Sequence, residues 1–531
     1  MLKVCVRIPG ERMMRLSKLA IPCLSLLAAV LSGCVQTATM THLAPKENDG
    51  AVLLKISDNL PIFAFWVDTV AVRRLADAVN PSDTCYALHV SQRGQSASTF
   101  LAGALPPGTY EFPAIGATGL SVGECNHRDS LALHESKFGK FAVSPGKLTY
   151  LGVLERTGAQ DVHKSYMIPV LAAEPENLDE ILREVFPQLQ QLDTRSPQGW
   201  VKGSLPPGMA QANGYALFYA YGLFSPSQSP DGTWIFGSRI GVVRSWRLGQ
   251  PRPTMHDTGH RVSLVTTAVL ADGAWLAGGD ESTLLMSSDA GKNWRSVRGD
   301  LPYGLIVNIA PLQDDLLLTL VDDKKVFVYR GNIRSMHWRK VAAYQTEYAF
   351  WTGLRGAAPE SRLVGDAYVT TLPSRHLGVY HVAKGTFEVR NLPGSVAHFS
   401  VSNDHVLRCD CIAAIAVNPY ESRDLGKTWT PSSLSRYSAL PGMADARHGV
   451  TWYKDGLFKP ISLAYTDDGG KTWQQTYAEP PQDLRHFFYS RDRKIAYASN
   501  DADTLWLSRD GGRHWDSALL VPMPPGDSRN P

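Results

Sequence analysis

The 531-residue sequence predicts an all-β protein, in which a small N-terminal β-sandwich, one linker helix and a β-propeller follow one another. Three observations predict this fold. An eight-residue pattern, Ser/Thr-x-Asp-x-Gly-x-x-Trp, occurs four times, and its last three copies are 44 and 42 residues apart, about the length of a four-stranded propeller blade. Short apolar segments bounded by Gly, Asp, Asn or Ser lie between the copies, which is typical of strands. From Glu174 to Leu192 the apolar residues instead recur at intervals of three and four, which predicts a helix.

Each copy of the pattern has the composition of a hairpin tip. The copies are Ser287–Trp294, Ser422–Trp429, Thr466–Trp473 and Ser508–Trp515. In such a tip the Asp accepts hydrogen bonds from backbone N–H groups two or three residues on, and the Gly supplies the left-handed conformation that closes the loop. The Trp then enters the next strand as a large buried anchor. These structural roles are assigned to Asp289, Gly291, Trp294, Asp424, Gly426, Trp429, Asp468, Gly470, Trp473, Asp510, Gly512 and Trp515.

The four copies resemble the Asp box, or bacterial neuraminidase repeat, which is found in sialidases, sortilin-type receptors, some glucanases and photosystem assembly factors. Those proteins carry the box on β-propellers, so the resemblance implies a propeller here. The box accompanies many unrelated activities, and the resemblance therefore does not select one of them.

The spacing of the copies predicts the number of blades. From Trp294 to Trp429 the interval is 135 residues, or three periods, so two degenerate copies are expected between them. Trp338 and Phe387 lie near the expected ends of those copies, and Trp246 lies one period upstream of Trp294. The result is seven predicted blades, with six or eight as the alternatives.

Residues 1–33 are predicted to be an export signal. Basic residues precede an apolar run from Leu19 to Leu31, which is too short to span a bilayer as a permanent helix. The sequence Leu31-Ser32-Gly33-Cys34 resembles the bacterial lipobox, whose Cys is acylated and becomes the first residue of the mature protein. The resemblance implies a lipid anchor at Cys34, and Val35 after it implies the outer membrane, with the protein facing the periplasm or the surface. An ordinary cleaved secretory signal is the alternative.

The mature chain divides into four parts and a tail. Residues 34–48 are polar and predict a tether, and residues 49–172 predict a β-sandwich because short strands alternate with Pro-Gly turns. Residues 173–197 predict the helical linker, with a kink or an early end before Pro187. Residues 198–524 predict the propeller, and residues 525–531 a frayed tail.

Charge and composition exclude some partners. Residues 1–33 carry a net charge of +4 and the whole chain +3, so the mature chain carries −1 and offers no basic surface for nucleic acid. The sequence predicts no cofactor and no metal. His256-Asp257-Thr258-Gly259-His260 could bring two imidazoles and a carboxylate together, but its Pro and Gly neighbours favour a solvated loop.

Four cysteines remain once the signal and Cys34 are set aside. Export makes pairing plausible, and Cys85 with Cys125 is the candidate disulfide within the sandwich. For Cys409 and Cys411 a loop disulfide, two free thiols and a soft-metal site remain open, because a bridge between alternate strand residues is strained.

The predicted function is a non-catalytic binding or assembly module whose partner is a protein, a glycan or a cell-wall component. The alternative is a sialidase-like or other glycoside hydrolase. Sialidases need three Arg around the substrate carboxylate, a Tyr nucleophile with a Glu partner, and an Asp acid/base. Their first Arg lies in a Phe/Tyr-Arg-Ile-Pro motif. Arg239, in Ser238-Arg239-Ile240-Gly241, is the sole catalytic candidate, but its motif lacks the aromatic residue and the Pro, and no second or third Arg is identified.

Overall fold

The structure is a computed structural model of the chain. It describes residues 39–58, 67–77, 84–91, 98–117, 139–158, 165–170, 178–194, 199–204, 217, 224–322, 325–345, 359–373, 375–402, 404–413, 416–432, 439–445, 447–453, 462–476, 486–490, 492, 494–499 and 504–520. The predicted signal, Cys34, Cys125 and the tail lie outside these residues. Within them, no helix is long and apolar enough to cross a membrane.

Two five-stranded sheets form the N-terminal sandwich, as the sequence predicts. The first sheet has the strand order β1-β4-β3-β7-β8 and the second β10-β9-β2-β6-β5. Their strands are Thr39–Met40 (β1), Gly50–Asp58 (β2), Val67–Arg74 (β3), Thr84–Ala87 (β4), His89–Val90 (β5), Ser98–Leu105 (β6), Gly108–Ala117 (β7), Phe141–Val143 (β8), Leu148–Gly158 (β9) and Ser165–Val170 (β10).

Strand β2 is buried on both of its faces, which explains its nearly continuous apolar sequence. Val52, Leu54 and Ile56 point between the two sheets into the sandwich core. Ala51 and Leu53, on the opposite face, pack against the linker helix. Since side chains alternate along a strand, Lys55 lies on the same outer face as Ala51 and Leu53.

The linker helix, α1, covers part of that outer face. It runs from Leu178 to Val185, and Leu178, Ile181 and Leu182 are its buried residues. A 3-10 turn, Pro187–Leu189, follows it. The helix therefore ends before Pro187, where the proline ring prevents its continuation, as the sequence predicts.

The segment predicted to be a tether is partly built into the sandwich. Thr39 and Met40 pair in parallel with Tyr86 and Ala87 of β4, and His42 forms a bridge to Ala104. The polar sequence of residues 34–48 gives no strand period, because a two-residue strand is too short to show one. The other predicted domain limits stay predictions, since residues 171–177 and 205–216 at the junctions are outside the described part.

Seven four-stranded antiparallel sheets follow in chain order, so the prediction of a seven-bladed propeller is confirmed. Each blade uses four consecutive strands. They are Phe224–Gln228, Trp234–Gly237, Val242–Trp246 and Thr254–Asp257 in blade 1 (β11–β14); Leu264–Val269, Trp275–Gly279, Leu284–Ser287 and Arg295–Ser296 in blade 2 (β15–β18); Leu305–Pro311, Leu316–Asp322, Lys325–Asn332 and His337–Gln345 in blade 3 (β19–β22); Ser361–Val364, Ala367–Leu372, His376–His381 and Thr386–Asn391 in blade 4 (β23–β26); Ser395–Val401, Leu407–Ala413, Ala416–Ser422 and Thr430–Pro431 in blade 5 (β27–β30); Ala439–Met443, Gly449–Tyr453, Ser462–Thr466 and Gln474–Gln475 in blade 6 (β31–β34); and His486–Tyr489, Ala496–Ser499, Thr504–Ser508 and Asp516–Leu520 in blade 7 (β35–β38).

Side chains close the ring between blades 7 and 1. No strand is exchanged between the two blades in the described sheets. Trp234 of blade 1 instead packs with its ring centroid 4.9 Å from those of Phe488 and Tyr497 of blade 7. Trp246 makes an edge contact with the same tyrosine at 6.3 Å. Aromatic burial therefore takes the place of a shared sheet.

The strand order gives the propeller two distinct faces. Because neighbouring strands are antiparallel, the turns between strands 1 and 2 and between strands 3 and 4 of every blade lie at one end. This end is called the repeat face. The turns between strands 2 and 3, and the connections from one blade to the next, lie at the other end, which is called the crossover face.

Candidate functional site

The four repeat copies fold into the same hydrogen-bonded turn between strands 3 and 4 of blades 2, 5, 6 and 7. In blade 2 the Ser287 hydroxyl donates to Asp289 Oδ1 and accepts the Gly291 N–H, both at 2.8 Å. The Asp289 carboxylate accepts the N–H of Asn293 at 2.9 Å. The other three copies repeat these contacts. The Asp also accepts the N–H three residues on, as predicted. The donor four residues on, which all four copies share, was not predicted.

Two consecutive left-handed residues close each of these turns. The glycine at the fixed Gly position of the repeat has φ between 83° and 99° in all four copies, which are Gly291, Gly426, Gly470 and Gly512. The residue before each of them is also left-handed, and it is Ala290, Leu425, Gly469 or Gly511. Only glycine adopts this conformation without steric cost, so the copies in blades 2 and 5 contain a strained residue that the other two avoid.

The terminal Trp residues of the repeat differ in burial and in hydrogen bonding. Trp515 is buried, whereas Trp294, Trp429 and Trp473 are partly exposed. The indole N–H of Trp294 and of Trp515 donates to the carbonyl of the glycine three residues earlier, at 3.0 Å. In these two copies the Trp therefore holds the turn.

The degenerate copies match the predicted positions unequally. Trp338 pairs with Gly331, the position that a repeat Trp occupies. Phe387 pairs with Tyr380 and lies one residue later. In blade 1, Trp246 pairs with Trp234, the first residue of strand 2. In blade 2, the residue that pairs with the first residue of strand 2, Trp275, is Ser287. Trp246 therefore occupies the position at which a repeat copy begins. The prediction that Trp246 ends a copy is wrong, because blade 1 has a different turn at this end.

Hydrogen bonds keep the four repeat carboxylates ionised. The backbone and side chain of Asn293 donate hydrogen bonds to the Asp289 carboxylate, and those of Thr472 donate to the Asp468 carboxylate. Burial opposes ionisation of Asp424 and Asp510, but their hydrogen bonds outweigh it. The pKa of each of the four carboxyls is lowered to about 2.

We expect Asp468→Ala to lower the melting temperature at pH 7, because the turn N–H groups lose their acceptor. The folded pKa lies below the unfolded value of about 3.9, so the stabilisation is present above pH 4 and is lost as the pH falls toward 2. The gap between variant and wild type in calorimetric scans should therefore close over that range. Asp516→Ala, at an exposed strand position, is the control. A gap that does not depend on pH would contradict the assignment.

Two equivalent turns on the crossover face contact the sandwich. In blade 1 the turn is Ser238–Gly241, and in blade 2 it is Gly279–Ser282. Each opens with the same 3.0 Å backbone hydrogen bond, from Ser238 to Val242 and from Gly279 to Thr283. At the third position of each turn, Ile240 (φ 45°) and Glu281 (φ 58°) are left-handed, a conformation that is strained for a non-glycine residue.

The blade 2 turn makes a buried ion pair with the sandwich. Lys55 Nζ lies 2.6 Å from Glu281 Oε1, and the two side chains are 2% and 6% exposed. The same ammonium lies 3.4 Å from the Arg261 carbonyl oxygen and 5.3 Å from the centre of the Phe100 ring. Burial, followed by the Glu281 charge, raises the pKa of the neighbouring Tyr150. This buried ion pair joins strand β2 of the sandwich to the blade 2 turn of the propeller.

The blade 1 turn makes an apolar contact instead. Ile240 packs with Val242 and with Val153 and Val170 of strands β9 and β10. Arg239, the catalytic candidate, is the preceding residue and is 9% exposed. The structure thus places Arg239 in a buried turn whose next residue contacts the sandwich.

The linker helix makes a third contact with the same face. Arg298, between blades 2 and 3, forms an ion pair with Glu180 of α1. Tyr303, in the same connection, packs against the apolar face of the helix. Together with the two turns, this contact places the sandwich and α1 over blades 1 and 2. The part of the crossover face that they cover is called the capped face.

The His256–His260 segment has structural contacts. The His256 ring lies edge-on to Trp275 and 2.8 Å from the Ser245 hydroxyl, and burial lowers its pKa. Both oxygens of Asp257 accept hydrogen bonds from Arg261, at 2.7 and 3.1 Å. No group of three or more potential metal ligands occurs in the described residues. The predicted solvated loop is partly a strand, since His256 and Asp257 end β14.

Cys409 and Cys411 form a disulfide with each other, with a Cα–Cα distance of 5.4 Å. Both lie in strand β28 and are fully buried in the blade core, so the bridge is not in a loop. Cys85 is also disulfide-bonded. Its predicted partner, Cys125, lies outside the described residues, and that pairing stays a prediction.

No protein-family model matches this chain, and no curated protein matches it. Solved structures resemble part of it. YCF48 from Cyanidioschyzon merolae is 14% identical, with a TM-score of 0.41 over 57% of this chain and 95% of that one. YCF48 bound to D1 peptide is 15% identical, with a TM-score of 0.41 over 55% and 92%. Dihydro-heme d1 dehydrogenase NirN in complex with DHE is 15% identical, with a TM-score of 0.39 over 57% and 67%. These similarities assign no activity, ligand or partner to this chain.

Proposed function

We propose that this chain is a lipid-anchored protein of the cell envelope whose propeller is a non-catalytic binding or assembly module. One observation carries the proposal. The protein's own sandwich occupies the crossover face over blades 1 and 2, and Arg239 lies in a turn that contacts it. Arg239 itself is 9% exposed, so little of its side chain is open to a substrate.

The neighbouring arginines also support a structural role. The Arg261 guanidinium is engaged by both oxygens of Asp257, and Arg298 is engaged by Glu180. A sialidase instead directs three arginines at one open site, where they bind the substrate carboxylate. Arg298 joins the propeller to α1, whereas Arg261 pairs within the propeller.

The repeat face makes no described contact with the sandwich or α1 and is therefore available to a partner. The described contacts of the sandwich and α1 with the propeller all fall on the crossover face. Each repeat copy exposes its side chains in the same turn geometry, with Lys292, Lys427 and Lys471 exposed at one shared position. A set of equivalent turns around one rim suits broad recognition of a protein or a glycan.

The proposed anchor predicts that Cys34→Ala moves the protein from the membrane fraction to the soluble periplasmic fraction. Acyl chains contribute about 0.8 kcal/mol per buried CH₂, and their loss removes the attachment. Fractionation followed by immunoblotting measures the change, and Cys85→Ala, which leaves the lipobox intact, is the control. A Cys34→Ala protein that stays in the membrane fraction would exclude the anchor.

The binding role is tested with a photo-crosslinking residue at Lys292 or Lys471 in intact envelopes. We expect one discrete adduct that an excess of the unmodified protein suppresses. The same residue placed at Lys325, which is exposed at the crossover end of blade 3 where strand β21 begins, is the control. Equal adducts from all three positions would contradict a partner site on the repeat face.

A further inference from the structure

The chain enters the fold at one edge of the sandwich and is held there firmly. Strand β1 is the outermost strand of the first sheet, beside β4. The Thr41 backbone N–H and hydroxyl both donate to the Ala87 carbonyl at 2.9 Å. The Ala104 N–H, in the second sheet, donates to the His42 carbonyl at 2.8 Å. This short segment therefore joins the edges of both sheets.

Thr41 has little room to move. It is buried, and it packs so closely on Gly103 that a Cβ there would collide with its hydroxyl oxygen. Met40, immediately before it, is 46% exposed, the largest exposure among the large apolar side chains described. The edge thus presents an apolar side chain on a fixed support.

The length of chain before this edge limits its distance from the anchor. Five residue steps separate Cys34 from Thr39, and an extended chain spans at most about 3.6 Å per residue, or about 18 Å in all. An acylated Cys34 would lie at the level of the lipid headgroups. A connection of this length brings the β1 edge to the membrane surface.

We propose that the β1 edge of the sandwich faces the lipid bilayer, with Met40 at the headgroup boundary. The proposal rests on the proposed lipid anchor at Cys34. The occupant of this edge is the phospholipid surface itself, because the tether is too short for a protein domain to lie between them. The propeller lies on another side of the sandwich, since it contacts α1 and the outer face of the second sheet.

The test measures the distance of two matched methionines from lipid. Met40→Cys and Met336→Cys, the latter 40% exposed in a turn between strands 3 and 4 of blade 3, are each labelled with a thiol-reactive bimane without reductant. The acylated proteins are reconstituted into phosphatidylethanolamine/phosphatidylglycerol vesicles that contain a headgroup-nitroxide lipid. Wild-type protein, carried through the same labelling, is the blank.

We expect several-fold stronger quenching at residue 40 than at residue 336. Equal quenching of both labels, in protein that still floats with the vesicles, would overturn the orientation and leave the anchor in place. Flotation of Cys34→Ala at the wild-type level, or no flotation of the wild type, would overturn the anchor and the orientation together. The same labelled proteins in vesicles that lack the nitroxide lipid give the reference intensity for each label.

Discussion

Replacing Glu281 with Ala should lower the free energy of unfolding by about 3–5 kcal/mol. The change leaves the Lys55 ammonium buried at the domain junction without its carboxylate, because the two side chains are 2% and 6% exposed and solvent does not reach them. It also leaves a strained turn in blade 2 without the contact that holds it. The loss should appear first where the sandwich meets the propeller.

Denaturant unfolding and hydrogen exchange together measure this effect. We expect faster exchange in β2 and in the blade 2 turn at Gly279–Ser282. The double variant Lys55→Met/Glu281→Leu should regain most of the loss, since an apolar pair of similar size needs no charge partner. Arg423→Ala, in a 66% exposed side chain near Asp404 and Glu421, should change stability by less than about 1 kcal/mol. An unchanged midpoint for Glu281→Ala would contradict a buried ion pair.

The second large effect is expected at the closure of the ring. Trp234→Ala should cost about 3–5 kcal/mol, because this indole fills the junction between blades 1 and 7 and the two blades share no strand in the described sheets. Phe488 and Tyr497 would lose their packing partner at 4.9 Å. Trp234→Phe keeps an aromatic ring there and should recover much of the loss.

Thermal unfolding and limited proteolysis check this prediction. We expect Trp234→Ala to melt earlier and to be cleaved first in blades 1 and 7. Trp473→Ala, at a partly exposed position in blade 6, is the control and should cost less. If Trp234→Ala melts like the wild type, the ring is held closed by something other than this packing.

The propeller was predictable from the sequence because the residues that form each repeat turn are close together in the chain. Each repeat copy carries the Ser or Thr, the Asp and the Gly that form its own turn, so a pattern of eight residues shows where strands 3 and 4 meet. Counting periods then gives seven blades. The same counting failed at Trp246, because blade 1 has no repeat copy and a spacing alone does not fix the register of a strand.

The capped face could not be predicted, because its information is distant in the sequence. Lys55 and Glu281 are 226 residues apart, and the two equivalent turns, Ser238–Gly241 and Gly279–Ser282, share no residue type at any position. One signal was present. Lys55 interrupts an apolar strand, and a strand buried on both faces requires a partner for a buried charge, although the sequence does not say which one.

Turnover of fluorogenic sialosides and a panel of glycosides by the purified mature protein tests the central claim most directly. Wild type and Arg239→Ala are compared, with Arg239→Lys as a milder variant and melting scans to verify that all three are folded. We expect no turnover above the buffer rate from any of them, because the Arg239 side chain is 9% exposed. Turnover by the wild type that Arg239→Ala abolishes, in protein that still folds, would contradict the account.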